Sequence, residues 1–184
     1  MELNSWFEKG LTADGYIEGM EKNKESMLKI LEKFELAQPQ KARLESLKDK
    51  ELRVLVLTED WCGDAMLNNP ILMKIAEVGG MEVRFLLRDQ NLELMDQYLT
   101  NGTSRAIPIF IFINRDGAEY AVWGPRAPQV QELVERGRAG LPAKEDPDFE
   151  RKQREFYTTL TESYVTDKGI WQTVSDSILE RITG

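Results

Sequence analysis

The sequence predicts an α/β protein: a mixed four-stranded sheet flanked by helices, with additional helices at the N- and C-termini. Three observations lead there. Val54-Leu-Val-Leu57 is a continuous apolar run, the pattern of a strand buried on both faces. Ile107-Pro-Ile-Phe-Ile-Phe-Ile113 is a second run, rich in β-branched and aromatic residues. Around them, strand-like and helix-like segments follow the order β-α-β-α-β-β-α from 52 to 138, which implies a sheet covered by helices.

The elements can be justified in turn. Residues 1–50 read as a helical arm added to the sheet domain. Thr12 is placed to cap a short helix carrying Tyr16 and Met20. Met27, Ile30, Leu31 and Phe34 recur at helical spacing, and Pro39 suits the first turn of another helix with Leu44 and Leu47 inward. After the strand at 52–57, Thr58–Gly63 is a polar break. A helix then begins near Cys62, with Met66, Leu67, Ile71, Ile75 and Val78 inward; Pro70 should kink it and Gly79-Gly80 end it. Met81–Leu87 is the second strand. It is joined to the first through a helix, so the two should be parallel with a right-handed crossover.

Asn91 is placed to cap a helix with Leu92, Met95, Tyr98 and Leu99 inward, closed by Asn101-Gly102. The strand at 107–113 turns at Asn114-Arg-Asp-Gly117 into Ala118–Trp123, an antiparallel hairpin. Pro128 opens a helix with Val130, Leu133 and Val134 inward. Leu141–Pro147 reads as a linker. Two further helical stripes follow, one of Phe149, Phe156, Leu160 and Tyr164, the other of Trp171, Val174, Ile178 and Ile182; each must dock on something. The divisions are therefore 1–50, a helical arm; 51–142, the sheet domain; and 143–184, a helical extension packed on the same domain.

Composition removes several function classes. The net charge is −8, which disfavours phosphate backbones, so no nucleic-acid partner is expected. There is no histidine, which removes histidine bases and histidine metal ligands. The single cysteine, Cys62, allows neither an internal disulfide nor a cysteine-rich metal site. No metal and no cofactor is expected, since phosphate-loop and dinucleotide fingerprints are missing as well. The N-terminus lacks a secretory pattern and no run approaches a membrane span, so a cytoplasmic location without a membrane partner is expected. The oligomeric state is left open.

Trp61-Cys-Gly-Asp-Ala65, directly after a buried strand, resembles the active-site turn of the thioredoxin superfamily, whose usual pattern is Trp-Cys-Gly-x-Cys. Pro70 matches the proline of that family's active-site helix, Ile107-Pro108 its cis-proline loop, and Gly117 and Gly124 its hairpin glycines. The resemblance covers about 52–138 and implies a thioredoxin-like fold. The N-terminal arm resembles that of an uncharacterised bacterial branch, whose members often carry Trp-Cys-Gly-Asp-Cys. Three departures stand out. Ala65 replaces the resolving cysteine, Val56 stands where many thioredoxins bury an acid, and Thr58 replaces a common aromatic.

By that resemblance, Cys62 is the catalytic nucleophile, Trp61, Gly63, Asp64 and Ala65 form the active-site turn, and Ile107 and Pro108 present backbone to a substrate. The helix N-terminus should lower the Cys62 pKa, with Glu59, Asp60 and Asp64 opposing this. Glu59 and Asp60 otherwise read as solvated loop acids. Trp123 reads as core, and Arg105 and Arg126 as surface residues that could reach the active face. With one sulfur the implied activity is monothiol thiol–disulfide exchange, on a protein disulfide or a low-molecular-weight thiol. Two other readings fit the same residues: a redox-inactive interaction module, and a Cys-to-Ala variant of a dithiol reductase.

Overall fold

The computed structural model of the chain describes residues 2–184. One sheet runs in the order β2-β1-β3-β4, with β1 at Arg53–Thr58, β2 at Glu82–Leu87, β3 at Ile109–Ile113 and β4 at Glu119–Trp123. β1 and β2 are parallel, β3 is antiparallel to β1, and β4 is antiparallel to β3. Side chains alternate between faces along each strand. Val54, Val56, Phe110 and Phe112 thus enter one core, while Leu55, Leu57, Ile109, Ile111 and Ile113 enter the other. That two-sided burial is why β1 and β3 read as unbroken apolar runs.

The larger core lies under α2 (Ala13–Gly19), α3 (Lys24–Lys33), α4 (Gln38–Glu45), α5 (Gly63–Gly79) and α7 (Pro128–Ala139). The smaller core is closed by α1 (Leu3–Lys9), through Trp6 and Phe7, and by α6 (Leu92–Met95), through Leu94 and Met95. The N-terminal arm is therefore part of both cores. Tyr16 stacks on Phe85 with ring centroids 4.6 Å apart, and Met27, Ile30, Phe34 and Leu44 are fully or almost fully buried. Thr12 caps α2 by accepting from the Gly15 N–H.

Helices α8 (Phe149–Thr166) and α9 (Lys168–Thr183) dock on the same body. Tyr164, Trp171, Val174, Ile178 and Ile182 are buried in the larger core. Gly137 of α7 makes room for α8, because a Cβ there would strike the Phe156 ring. Asp167 caps α9 through the Gly169 and Ile170 N–H groups.

Several local expectations are corrected. β3 begins at Ile109, not Ile107: proline has no N–H for the ladder, and the Ile107–Pro108 peptide is cis. The helix after Asn91 lasts one turn and ends at Met95, well before the left-handed Asn101 and Gly102; Leu94 is buried and Leu92 exposed. Asn91 makes no side-chain cap and donates instead to the Leu87 carbonyl. Leu133 faces outward from α7, leaving Val130 and Val134 as its buried pair. Helix α5 runs through Pro70 and closes at Gly80, whose φ is +69°.

Candidate active site

β1 ends at Thr58, and four residues later Cys62 becomes the N-cap of α5. The turn closes with the Cys62 N–H donating to the Glu59 carbonyl at 3.4 Å and the Met66 N–H to the Cys62 carbonyl at 3.0 Å. The side chain of Cys62 is half-buried. Its Sγ donates to the Ile107 carbonyl at 3.5 Å, directly before cis Pro108. Gly124, with φ +130°, passes so close to this loop that a Cβ would strike the Pro108 carbonyl oxygen. The fold thus brings Trp61, Cys62, Gly63, Asp64 and Ala65 together with Ile107 and Pro108. Trp61 is exposed, with the Arg88 guanidinium 4.9 Å above its ring, whereas Ala65 is buried.

The electrostatics differ from the sequence expectation. Burial pushes the Cys62 thiol above its ordinary value, and the Asp64 carboxylate pushes the same way. The N–H groups of Ala65 and Asp64, then Arg126, pull it down without overcoming burial. The helix terminus acts as anticipated, but desolvation of the charged form is larger. Nor are Glu59 and Asp60 solvated acids facing the sulfur. Glu59 is buried and accepts the Asp89 N–H at 3.0 Å. Asp60 accepts the N–H groups of Glu21 and Lys22 at 2.7 and 3.1 Å, pinning the α2–α3 turn to the turn that carries Cys62.

Asp64 is held from two distant parts of the chain. One oxygen pairs with Arg126 at 2.8 Å; the other accepts from the Tyr164 hydroxyl of α8 at 3.0 Å. Arg126 also donates to Gln131 at 2.8 Å. The Tyr164 phenol is raised by burial first and by Asp64 second, so it stays a neutral donor. Beside the turn, a Cβ on Gly63 would lie 3.8 Å from the Thr161 hydroxyl, so α8 forms one wall of the site. Arg105 instead pairs with Asp96 at 2.8 Å. Trp123 is core: it stacks on Phe110 at 5.2 Å and donates to Ser177.

Beneath the turn lies a buried polar cluster. The Thr58 hydroxyl accepts from Asn69 at 2.9 Å and shares a hydrogen bond with the Tyr16 hydroxyl at 3.2 Å. Burial pushes the Tyr16 phenol up to about 12. Val56 lies in the apolar core.

A family model described as thioredoxin matches residues 10–141. The chain belongs to the thioredoxin superfamily. No curated protein matches it. Among solved structures, it resembles an HIV epitope-scaffold at 14% identity and a TM-score of 0.69, covering 98% of this chain and 96% of that one. It also resembles a protein of unknown function from Pseudomonas aeruginosa at 15% identity and a TM-score of 0.65, covering 96% of this chain and 98% of that one. At such identities the likeness speaks for the thioredoxin-like fold alone.

Within that fold, sequence reasoning missed Tyr164, Tyr16 and Asn69 as neighbours of the turn. Tyr164 and Tyr16 sit on helical stripes that read as core, Asn69 lies between the apolar positions of its helix, and nothing in local spacing shows what their polar ends meet. By sequence Arg126 reads as a surface residue; only the Asp64 contact places it beside Cys62. Among the described residues no cluster suited to a metal ion occurs, and no helix is long and apolar enough to cross a membrane.

Proposed function

We propose that this thioredoxin-superfamily protein exchanges thiols and disulfides through Cys62 alone. The observation that carries the reading is the position of Sγ, at the N-cap of α5 and against the carbonyl that precedes cis Pro108. Cys62 loses its proton to solvent, and the thiolate attacks one sulfur of a disulfide R–S–S–R′. A Cys62–S–S–R mixed disulfide forms while R′S⁻ leaves and takes up a proton. A second, low-molecular-weight thiol, as thiolate, then attacks the sulfur of R. It is oxidised to the new disulfide and releases Cys62 as thiolate. Trp61, Gly63, Asp64 and Ala65 shape the turn; Ile107 and Pro108 offer backbone to an extended substrate. The substrate is a protein disulfide or a small mixed disulfide, with no metal or cofactor involved. The cycle needs a supply of free thiol, as in a bacterial cytoplasm.

A thiol held above its ordinary pKa is a poor leaving group, so the mixed disulfide should be long-lived. The same observation favours a second reading, a redox-inactive module that binds a partner beside Cys62. Turnover of a protein mixed disulfide with excess small thiol separates the two. Exchange expects release that depends on Cys62 and vanishes in Cys62→Ser. Equal release with and without Cys62 would leave only the binding module. Ala65→Cys adds a further arm: dithiol reduction should appear if the groove still admits substrate.

A further inference from the structure

We propose that Arg126 and Tyr164 are positioning residues for Cys62, holding the Asp64 carboxylate as one half of a neutralised pair beside the sulfur, and that helix α8 of the C-terminal extension is thereby part of the reactive site. The proposal rests on the exchange reading for its purpose, but on geometry for its content. Asp64 is the second residue of α5, next but one to the N-cap Cys62. A carboxylate there would ordinarily lean on the helix N-terminus or reach into water. Here both its oxygens are taken by side chains from elsewhere, Arg126 at 2.8 Å and Tyr164 at 3.0 Å. The pair is 14% and 15% exposed, so solvent and salt screen it far less than a surface pair.

The Arg126 loop is itself fixed. Asn68 of α5 donates to the Pro125 carbonyl at 2.9 Å, Gln131 accepts from Arg126, and Gly124 lies against Pro108. The other charges near the turn are committed elsewhere. Glu59 and Asp60 accept backbone N–H groups, Arg88 pairs with Asp89 while lying over Trp61, and Arg105 pairs with Asp96. Asp64 on α5 and Arg126 on the β4–α7 loop are the charges that act on Cys62, with opposite sign, while Tyr164 on α8 supplies a neutral donor. Removing either charge should expose the other.

The test is the pH profile of Cys62 alkylation by a neutral reagent such as iodoacetamide, on folded full-length protein checked by thermal unfolding. Asp64→Asn leaves Arg126 unopposed and should raise the rate at neutral pH by about 3- to 10-fold, a downward shift of up to about one pKa unit. Arg126→Gln should slow it by a comparable factor, and the double variant should return to within about twofold of wild type. Arg126→Lys keeps the charge and should stay near wild type; it also serves if Arg126→Gln unfolds. Tyr164→Phe should slow the reaction in the wild-type background and have no effect in Asp64→Asn. Shifts of the same sign for Asp64→Asn and Arg126→Gln, or a Tyr164→Phe effect that persists without Asp64, would overturn the proposal. If the shifts occur as stated but Cys62 fails to turn over mixed disulfides, the exchange reading falls and this assignment stands.

Discussion

Replacing Thr58 by valine should destabilise the protein strongly although it scarcely alters volume. Thr58 is fully buried at the end of β1, and its hydroxyl joins two other buried side chains. Asn69 donates to it at 2.9 Å, and Tyr16 shares a hydrogen bond with it at 3.2 Å. Valine keeps the β-branched shape, so the cavity term is small. It leaves the Asn69 amide and the Tyr16 hydroxyl each short of a partner, and Asn69 Oδ1 already has none within the protein. An unsatisfied buried polar group costs about 1–3 kcal/mol. Two such groups, partly relieved by relaxation, give about 2–4 kcal/mol. For a domain of this size that is a fall of roughly 4–16 °C in Tm. Urea unfolding with an unchanged m-value is the assay. Adding Tyr16→Phe and Asn69→Leu to Thr58→Val should recover part of the loss, because no polar group then remains stranded. A Thr58→Val cost below about 0.5 kcal/mol would refute the reasoning, and would mean that water satisfies the cluster.

Three further outcomes follow from the packing and the charges. The folded Cys62 thiol is raised by burial, so the native state keeps its proton after the unfolded chain has lost it. Its contribution is fully present below the unfolded thiol's pKa of about 8.5 and is lost as pH rises beyond it. Urea-unfolding free energies from pH 7 to 10 should therefore fall more steeply for wild type than for Cys62→Ala, and equal slopes would contradict the burial argument. Gly124→Ala should cost about 2 kcal/mol or more, since a Cβ meets the Pro108 carbonyl and φ is +130°. It should also change Cys62 alkylation, because the displaced loop carries Ile107. Gly137→Ala should loosen α8 from α7 by driving a Cβ into Phe156; limited proteolysis should then cut within 141–166 faster, and an unchanged cleavage pattern would count against that docking.

Much of the fold is legible because local chemistry and tertiary burial agree. Val54–Leu57 and Ile109–Ile113 are apolar at every position because helices cover both faces of the sheet. The helix from Gly63 to Gly79 announces its end through Gly79-Gly80, where only a left-handed residue continues the chain. Legibility fails where the chain turns away from periodicity. Leu92 and Leu133 fit a helical stripe by spacing, yet the first helix stops after one turn and the second presents a narrower face.

The sequence by itself determined that Cys62 is the only cysteine, that it follows a buried strand and opens a helix, and that Ile107-Pro108 precedes the next long strand. Those are properties of order and composition. Only the tertiary structure decided what surrounds the sulfur. Tyr164 lies 100 residues from Asp64 and Arg126 lies 62 away, and no local pattern specifies that they meet. The direction of the thiol's shift was settled there too. Order along the chain tells of the helix end that favours a thiolate, whereas the desolvation that opposes it depends on how far the folded chain buries the side chain of Cys62.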